Sequence, residues 1–140
     1  SAPGLCLSCP PLCRECTNLT SCLSCIAQSY LSNASCLPAC PANYFGDSMT
    51  GMCMNKCSAG YFVDSGANVC VKTCFTGYYG NSSTGNCTQC SVGCLTCENS
   101  TSCSSCSRNY FLFSNNTCLS SCPSNGYYSN LVSMTCSGNK

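Results

Sequence analysis

The chain has no histidine and no tryptophan, and its only charged residues are five Lys or Arg and four Asp or Glu among 140 residues. Without histidine, the side chain that most often serves as general base and as nitrogen metal ligand is missing. The cations form no basic patch for nucleic acid and no polybasic membrane anchor. The carboxylates, Glu15, Asp47, Asp64 and Glu98, form no acidic run and no matched pair. No Gly-rich phosphate loop or serine-nucleophile motif occurs. No apolar stretch approaches the roughly 20 residues that cross a bilayer as a helix, and no segment shows helical periodicity. These absences exclude the common routes to catalysis. The expectation is a protein that is not an enzyme, has no cofactor, binds no nucleic acid and makes no direct membrane insertion. Charged residues make up 6% of the chain, against about 25% in ordinary soluble domains. A net charge near zero favours association.

What the chain has in abundance is cysteine, 21 residues of 140. Bulky aliphatic and aromatic residues are few and evenly spread. A chain that cannot bury a large apolar core uses cross-links instead. Cysteine at this density marks a disulfide scaffold, which needs an oxidising compartment. The expected location is extracellular or at the cell surface, and Ser1-Ala2-Pro3-Gly4 reads as a mature or excised N-terminus.

The cysteines are periodic. Cys6, Cys9, Cys13, Cys16, Cys22 and Cys25 have the spacing C-x2-C-x3-C-x2-C-x5-C-x2-C, and Cys87, Cys90, Cys94, Cys97, Cys103 and Cys106 repeat it 81 residues later. Each block is followed by a long gap and a C-x3-C pair. Between the blocks lie twelve-residue gaps, Cys40 to Cys53, Cys57 to Cys70 and Cys74 to Cys87. The aromatics keep the same beat, in Asn43-Tyr44-Phe45, Gly60-Tyr61-Phe62 and Gly77-Tyr78-Tyr79. Gly or Asn accepts a left-handed turn conformation, and the aromatics after it suit a short strand. A second turn follows at Asp47-Ser48, Asp64-Ser65-Gly66 or Asn81-Ser82. Each gap is therefore expected to be a small β-hairpin with stapled ends.

This pattern resembles the furin-like cysteine-rich repeat of growth-factor receptors, also seen in protist cysteine-rich surface proteins. The matching segments are Cys13-Arg14-Glu15-Cys16 with Cys22-Leu23-Ser24-Cys25, Cys94-Leu95-Thr96-Cys97 with Cys103-Ser104-Ser105-Cys106, and the Gly-Tyr-aromatic hairpins. The resemblance implies a small disulfide-rich fold, an elongated rod of stacked furin-like modules with short hairpins and almost no helix. It implies a double-disulfide module plus hairpin over residues 1–36, three single-disulfide hairpin modules over 37–86, and a second copy of the double-disulfide module plus hairpins over 87–140. It also implies the pairing. The bridges would be Cys9–Cys16, Cys13–Cys22, Cys25–Cys36, Cys40–Cys53, Cys57–Cys70, Cys74–Cys87, Cys90–Cys97, Cys94–Cys103, Cys106–Cys118 and Cys122–Cys136. Spacing alone leaves connectivity open. The scheme leaves Cys6 over. Its repeat equivalent, Cys87, pairs backwards with Cys74, so two readings stand for Cys6: a partner in a preceding module of a longer array, or a bond to another subunit.

Six Asn-x-Ser/Thr acceptors for N-linked sugar occur. Asn18 and Asn99 are repeat equivalents, as are Asn33 and Asn115, and recurrence at matched loops points to solvent-facing positions. Asn81 and Asn86 rank behind them, the latter because Cys87 occupies its middle position. Four thiolates also suit tetrahedral zinc, and Cys13/Cys16 with Cys22/Cys25, or Cys94/Cys97 with Cys103/Cys106, have a related spacing; zinc binding is the minor alternative. The tyrosines and phenylalanines are expected to pack against the bridges. Where two are adjacent, one of each pair is a candidate for exposure (Phe45, Phe62, Tyr79, Phe111 and Tyr128, or their neighbours), because neighbouring strand residues face opposite sides. The expected function is an extracellular structural or assembly protein, a glycosylated unit of a filament, coat or surface antigen. Its partner would be itself or neighbouring modules of a longer chain. The alternative is a ligand-binding or spacer module of a receptor-like ectodomain.

Overall fold

The computed structural model describes residues 4–139; Ser1 to Pro3, and with them most of the segment read as a mature N-terminus, lie outside the described residues. Among these residues there is no helix and therefore none long and apolar enough to cross a membrane. All regular structure is short strand, most often in antiparallel pairs. The chain separates into two compact units, Ser1–Lys72 and Thr73–Lys140. The repeat divides the sequence at residues 36 and 86, whereas the division by contact groups the third stapled hairpin with the second copy.

In the first unit, β1 (Cys13–Asn18) and β2 (Ser21–Cys25) form an antiparallel hairpin interrupted by register shifts. Next come β3 (Tyr30–Ser32) and β4 (Ser35–Leu37), then β5 (Phe45–Asp47) with β6 (Met52–Met54), and β7 (Phe62–Asp64) with β8 (Val69–Val71), each pair antiparallel. Parallel contacts join successive hairpins, Leu31 to Met52 and Gly46 to Val69. In the second unit, β9 (Tyr78–Asn81) pairs with β10 (Asn86–Gln89), β11 (Cys94–Asn99) with β12 (Ser102–Cys106), β13 (Phe111–Leu112) with β14 (Cys118–Leu119), and β15 (Tyr127–Asn130) with β16 (Thr135–Gly138). Again a parallel contact, Leu112 to Thr135, joins two hairpins. These parallel contacts have no signature in the sequence, because they depend on backbone groups alone.

The turns are where sequence dictates structure most directly. Seven strand entries use one four-residue turn, in which the fourth N–H donates to the first carbonyl and the third residue has positive φ. Examples are Tyr44 to Pro41, Tyr61 to Ser58 and Tyr78 to Phe75, each at 3.0 Å, with Asn43, Gly60 and Gly77 at the left-handed position. This is the type II pattern, which favours Gly or Asn at its third position. The far end of the single-bridged hairpins is closed by a carboxylate or amide. Oδ1 of Asp47, Asp64, Asn81 and Asn130 accepts from the backbone N–H two residues on, at 2.9–3.0 Å. Such side-chain acceptors hold a turn without help from the rest of the fold.

Among the described residues there is no large core. The buried apolar residues are Cys22, Val63, Cys70, Cys90, Cys94, Cys103 and Phe111, so five of these seven are half-cystines. Aromatic rings fill the remaining gaps, singly or in pairs. Tyr30 lies against Gly46 and Tyr110 against Gly93, close enough that a Cβ on either glycine would meet the ring at about 2.5 Å. Phe75 packs on Tyr78 and Phe113 on Tyr127. Phe111 is buried, which corrects the expectation of an exposed ring there: its strand lies between β14 and β16 rather than at an open edge. Phe45, Phe62 and Tyr79 are half-buried, and Tyr44, Phe75, Tyr127 and Tyr128 are exposed.

Candidate functional site

The chemistry-bearing groups of this chain are its sulfurs. The bridges join Cys9–Cys16, Cys13–Cys22 and Cys25–Cys36 at the first copy, and Cys90–Cys97, Cys94–Cys103 and Cys106–Cys118 at the second. Cys40–Cys53, Cys57–Cys70, Cys74–Cys87 and Cys122–Cys136 each close one hairpin. These are the pairs that the resemblance implies. All have Cα separations of 5.4–5.8 Å, within the range that a disulfide spans. Closing loops of this length contributes about 3 kcal/mol each in the chain-entropy model. Cys6 has no partner among the described residues and is exposed.

The two spacings considered for zinc do not assemble as quartets. Cys13 and Cys22 are bonded to each other, Cys16 to Cys9 and Cys25 to Cys36, and a bridged sulfur is not a thiolate ligand. The sulfurs that do converge are Cys13, Cys22 and Cys36, and at the second copy Cys94, Cys103 and Cys118, each trio lying within 4.8 Å. Cys36 and Cys118 enter from β4 and β14, which spacing within the C-x2-C pairs does not reveal.

Three of the six sugar acceptors share one geometry. At the tip of the β1–β2 hairpin, the backbone N–H and the hydroxyl of Thr20 both donate to Asn18 Oδ1 at 2.9 Å. Thr101 repeats this at Asn99 across the β11–β12 tip, at 2.9 and 3.0 Å. Thr117 does so at Asn115, where its hydroxyl is 2.5 Å away. In all three, Oδ1 is held as acceptor, Nδ2 is the remaining polar group of the amide, and the asparagine is exposed. Asn33 is also exposed but lies in a two-residue turn with φ 47°, next to Ala34 at φ 61°, the pattern of a type I′ hairpin. Asn81 is half-buried, and Asn86 is in β10 next to bridged Cys87.

Glu15, Asp47 and Asp64 serve as local fasteners. Glu15 Oε2 accepts from the Ser24 hydroxyl across β1–β2 at 2.9 Å, and Thr96 and Ser105 pair at the equivalent place. Asp47 is fully buried and accepts from the Ser58 hydroxyl at 2.6 Å, tying one stapled hairpin to the next. No sequence signal separates Asp47 from Asp64, which holds the same turn while half-buried. A groove of about 690 Å³ is lined by Gly77, Tyr78, Cys90, Val92, Gly93 and Ser107 among others. Exposed apolar side chains cluster at Leu5, Leu7 and Leu19 in the first unit and at Leu131 and Val132 in the second. No protein-family model matches the chain, and no curated protein matches it.

Proposed function

We propose that this chain is an extracellular structural unit, a disulfide-stapled and glycosylated piece of a coat, filament or surface antigen that associates with copies of itself, and that it performs no catalysis. The observation that carries this reading is the bridge framework: ten local cross-links replace a hydrophobic core. A fold held that way resists the loss of any one contact and needs no cytosolic environment. The resemblance to furin-like repeats of surface proteins agrees with it. Low charge and the exposed Leu5, Leu7, Leu19, Leu131 and Val132 favour self-association over solvation. Sugar at Asn18, Asn99 and Asn115 would supply solubility at hairpin tips and a turn while leaving other surface open.

The test is to express the chain through a secretory pathway and follow it by sedimentation and electron microscopy over a wide concentration range. Ordered assemblies that grow with concentration are expected. Monodisperse monomers at every concentration, from material that carries its bridges, would remove the assembly role.

A further inference from the structure

Where each double-bridged module meets the hairpin that follows it, two disulfides lie side by side. Cys22 Sγ, bonded to Cys13, is 3.2 Å from Cys36 Sγ, bonded to Cys25. That is the 3–3.5 Å separation of reacting atoms in a near-attack arrangement. Cys22 is 3% exposed, so a thiolate released there meets Cys36 with little competition from solvent. The second copy repeats the cluster at Cys94, Cys103 and Cys118, with Cys103 also 3% exposed. A second relation completes the set. Cys13 and Cys25 are cross-strand partners in the β1–β2 register, and Cys94 and Cys106 are partners in β11–β12.

We propose that each module is a disulfide relay that converts reduction at either of its two neighbouring bridges into one product, a Cys22–Cys36 bond with Cys13 and Cys25 as facing thiols. A dithiol reductant that attacks Cys13 forms a mixed disulfide there and releases the Cys22 thiolate. That thiolate attacks Cys36, making the Cys22–Cys36 bond, breaking Cys25–Cys36 and leaving the electron pair on Cys25, which takes a proton. The second thiol of the reductant then attacks its own sulfur in the mixed disulfide, leaving as a cyclic disulfide and freeing Cys13. Attack at Cys25 runs the same way: Cys36 is released, attacks Cys22, and displaces Cys13. Two electrons enter in both routes, two cysteine thiols result, and the product is the same. The residues fill the same roles at the second copy, with Cys103–Cys118 as the new bond and Cys94 and Cys106 as the facing thiols. The module stays tied between β2 and β4, yet presents a dithiol on one strand pair that a partner or an oxidant can engage.

The experiment uses the full chain with Cys6→Ser, which removes the one unbridged thiol. A limiting amount of a water-soluble phosphine, which delivers two electrons and leaves as its oxide, reduces the chain at pH 3. There an ordinary thiol is about 10⁵-fold less ionised than at pH 8, so exchange is suppressed. One half is blocked at pH 3 with a thiol reagent active in acid; the other is moved to pH 8 before blocking. Both are digested and mapped by tandem mass spectrometry. The expected result is label on bonded pairs at pH 3 (Cys13 with Cys22, or Cys25 with Cys36), and at pH 8 a majority labelled on Cys13 and Cys25 with Cys22 linked to Cys36. The Cys22–Cys36 link already present at pH 3 also supports the relay. Its absence from both halves, with the same pairs labelled at each pH, overturns it. Cys94, Cys103, Cys106 and Cys118 are read in the same digest as an internal repeat.

Discussion

At residue 12 a leucine occupies the left-handed turn position that glycine holds at residue 93: Leu12 has φ 65° and Gly93 has φ 82°. Around these two positions the copies share their bridges, their strand register with its irregularities, and their anchoring hydrogen bonds. Ile26 donates to the Leu12 carbonyl as Ser107 does to Gly93, and Cys22 donates to Ala34 as Cys103 does to Asn116. The packing between them is not shared. In the first copy Tyr30 lies on Gly46 of the following hairpin; in the second, Tyr110 lies back on Gly93 of its own module. The counterpart of Tyr110 is the small, buried Ser29. The segment between the paired Leu112 and Cys118 is also one residue longer than its counterpart between Leu31 and Cys36. Bridges and backbone hydrogen bonds thus hold the register, and the aromatic packing is free to differ provided a glycine faces each ring.

The comparison can be broken most sharply at the bridges. Cys13→Ser with Cys22→Ser, and separately Cys94→Ser with Cys103→Ser, should each lower unfolding stability by about 3 kcal/mol, measured by urea denaturation. Clearly unequal losses would mean that the surrounding packing, rather than the framework, carries one of the copies. Next in size is Gly93→Ala. Its Cβ meets Tyr110 and it adds a side chain at positive φ, so a loss of about 2–3 kcal/mol is expected. Gly46→Ala meets only the Tyr30 ring, without the backbone term, and should cost about 1–2 kcal/mol. A reversed order would show that these rings swing away without strain. Leu12→Gly runs in the opposite direction: relief of the left-handed leucine should exceed the entropy cost of glycine and raise stability by about 0.5–1 kcal/mol. The smallest effect on stability is expected from Thr20→Val and Thr101→Val, read as glycan mass on the secreted chain. Each should remove one glycan, at Asn18 and Asn99 respectively, and equal occupancy with and without the threonine would exclude these sites.

Much of the fold was legible in the sequence for local reasons. The stapled hairpins followed from cysteine spacing, and the turn at Gly60-Tyr61 or Gly77-Tyr78 from residues whose φ preference acts without tertiary context. The turn at Pro11-Leu12 was not legible, because leucine gives no signal for positive φ. Nor were the parallel contacts of Leu31 with Met52 and Gly46 with Val69, which any residue's backbone can make. Phe111 was misjudged as a candidate for exposure because strand alternation says which side a ring faces, not which strand will cover it. The pairing of the cysteines came from the resemblance rather than from spacing. The approach of Cys22 to Cys36 required the position of β4, which no motif encodes.

The framework itself is tested most directly by a complete disulfide map of the secreted, unreduced chain. Ten bridges at the stated positions are predicted, each joining cysteines no more than 14 residues apart, with Cys6 outside the set. A bridge between the two copies, such as Cys13 to Cys94, or an unbridged Cys13, Cys16, Cys22 and Cys25 holding a metal ion, would contradict it.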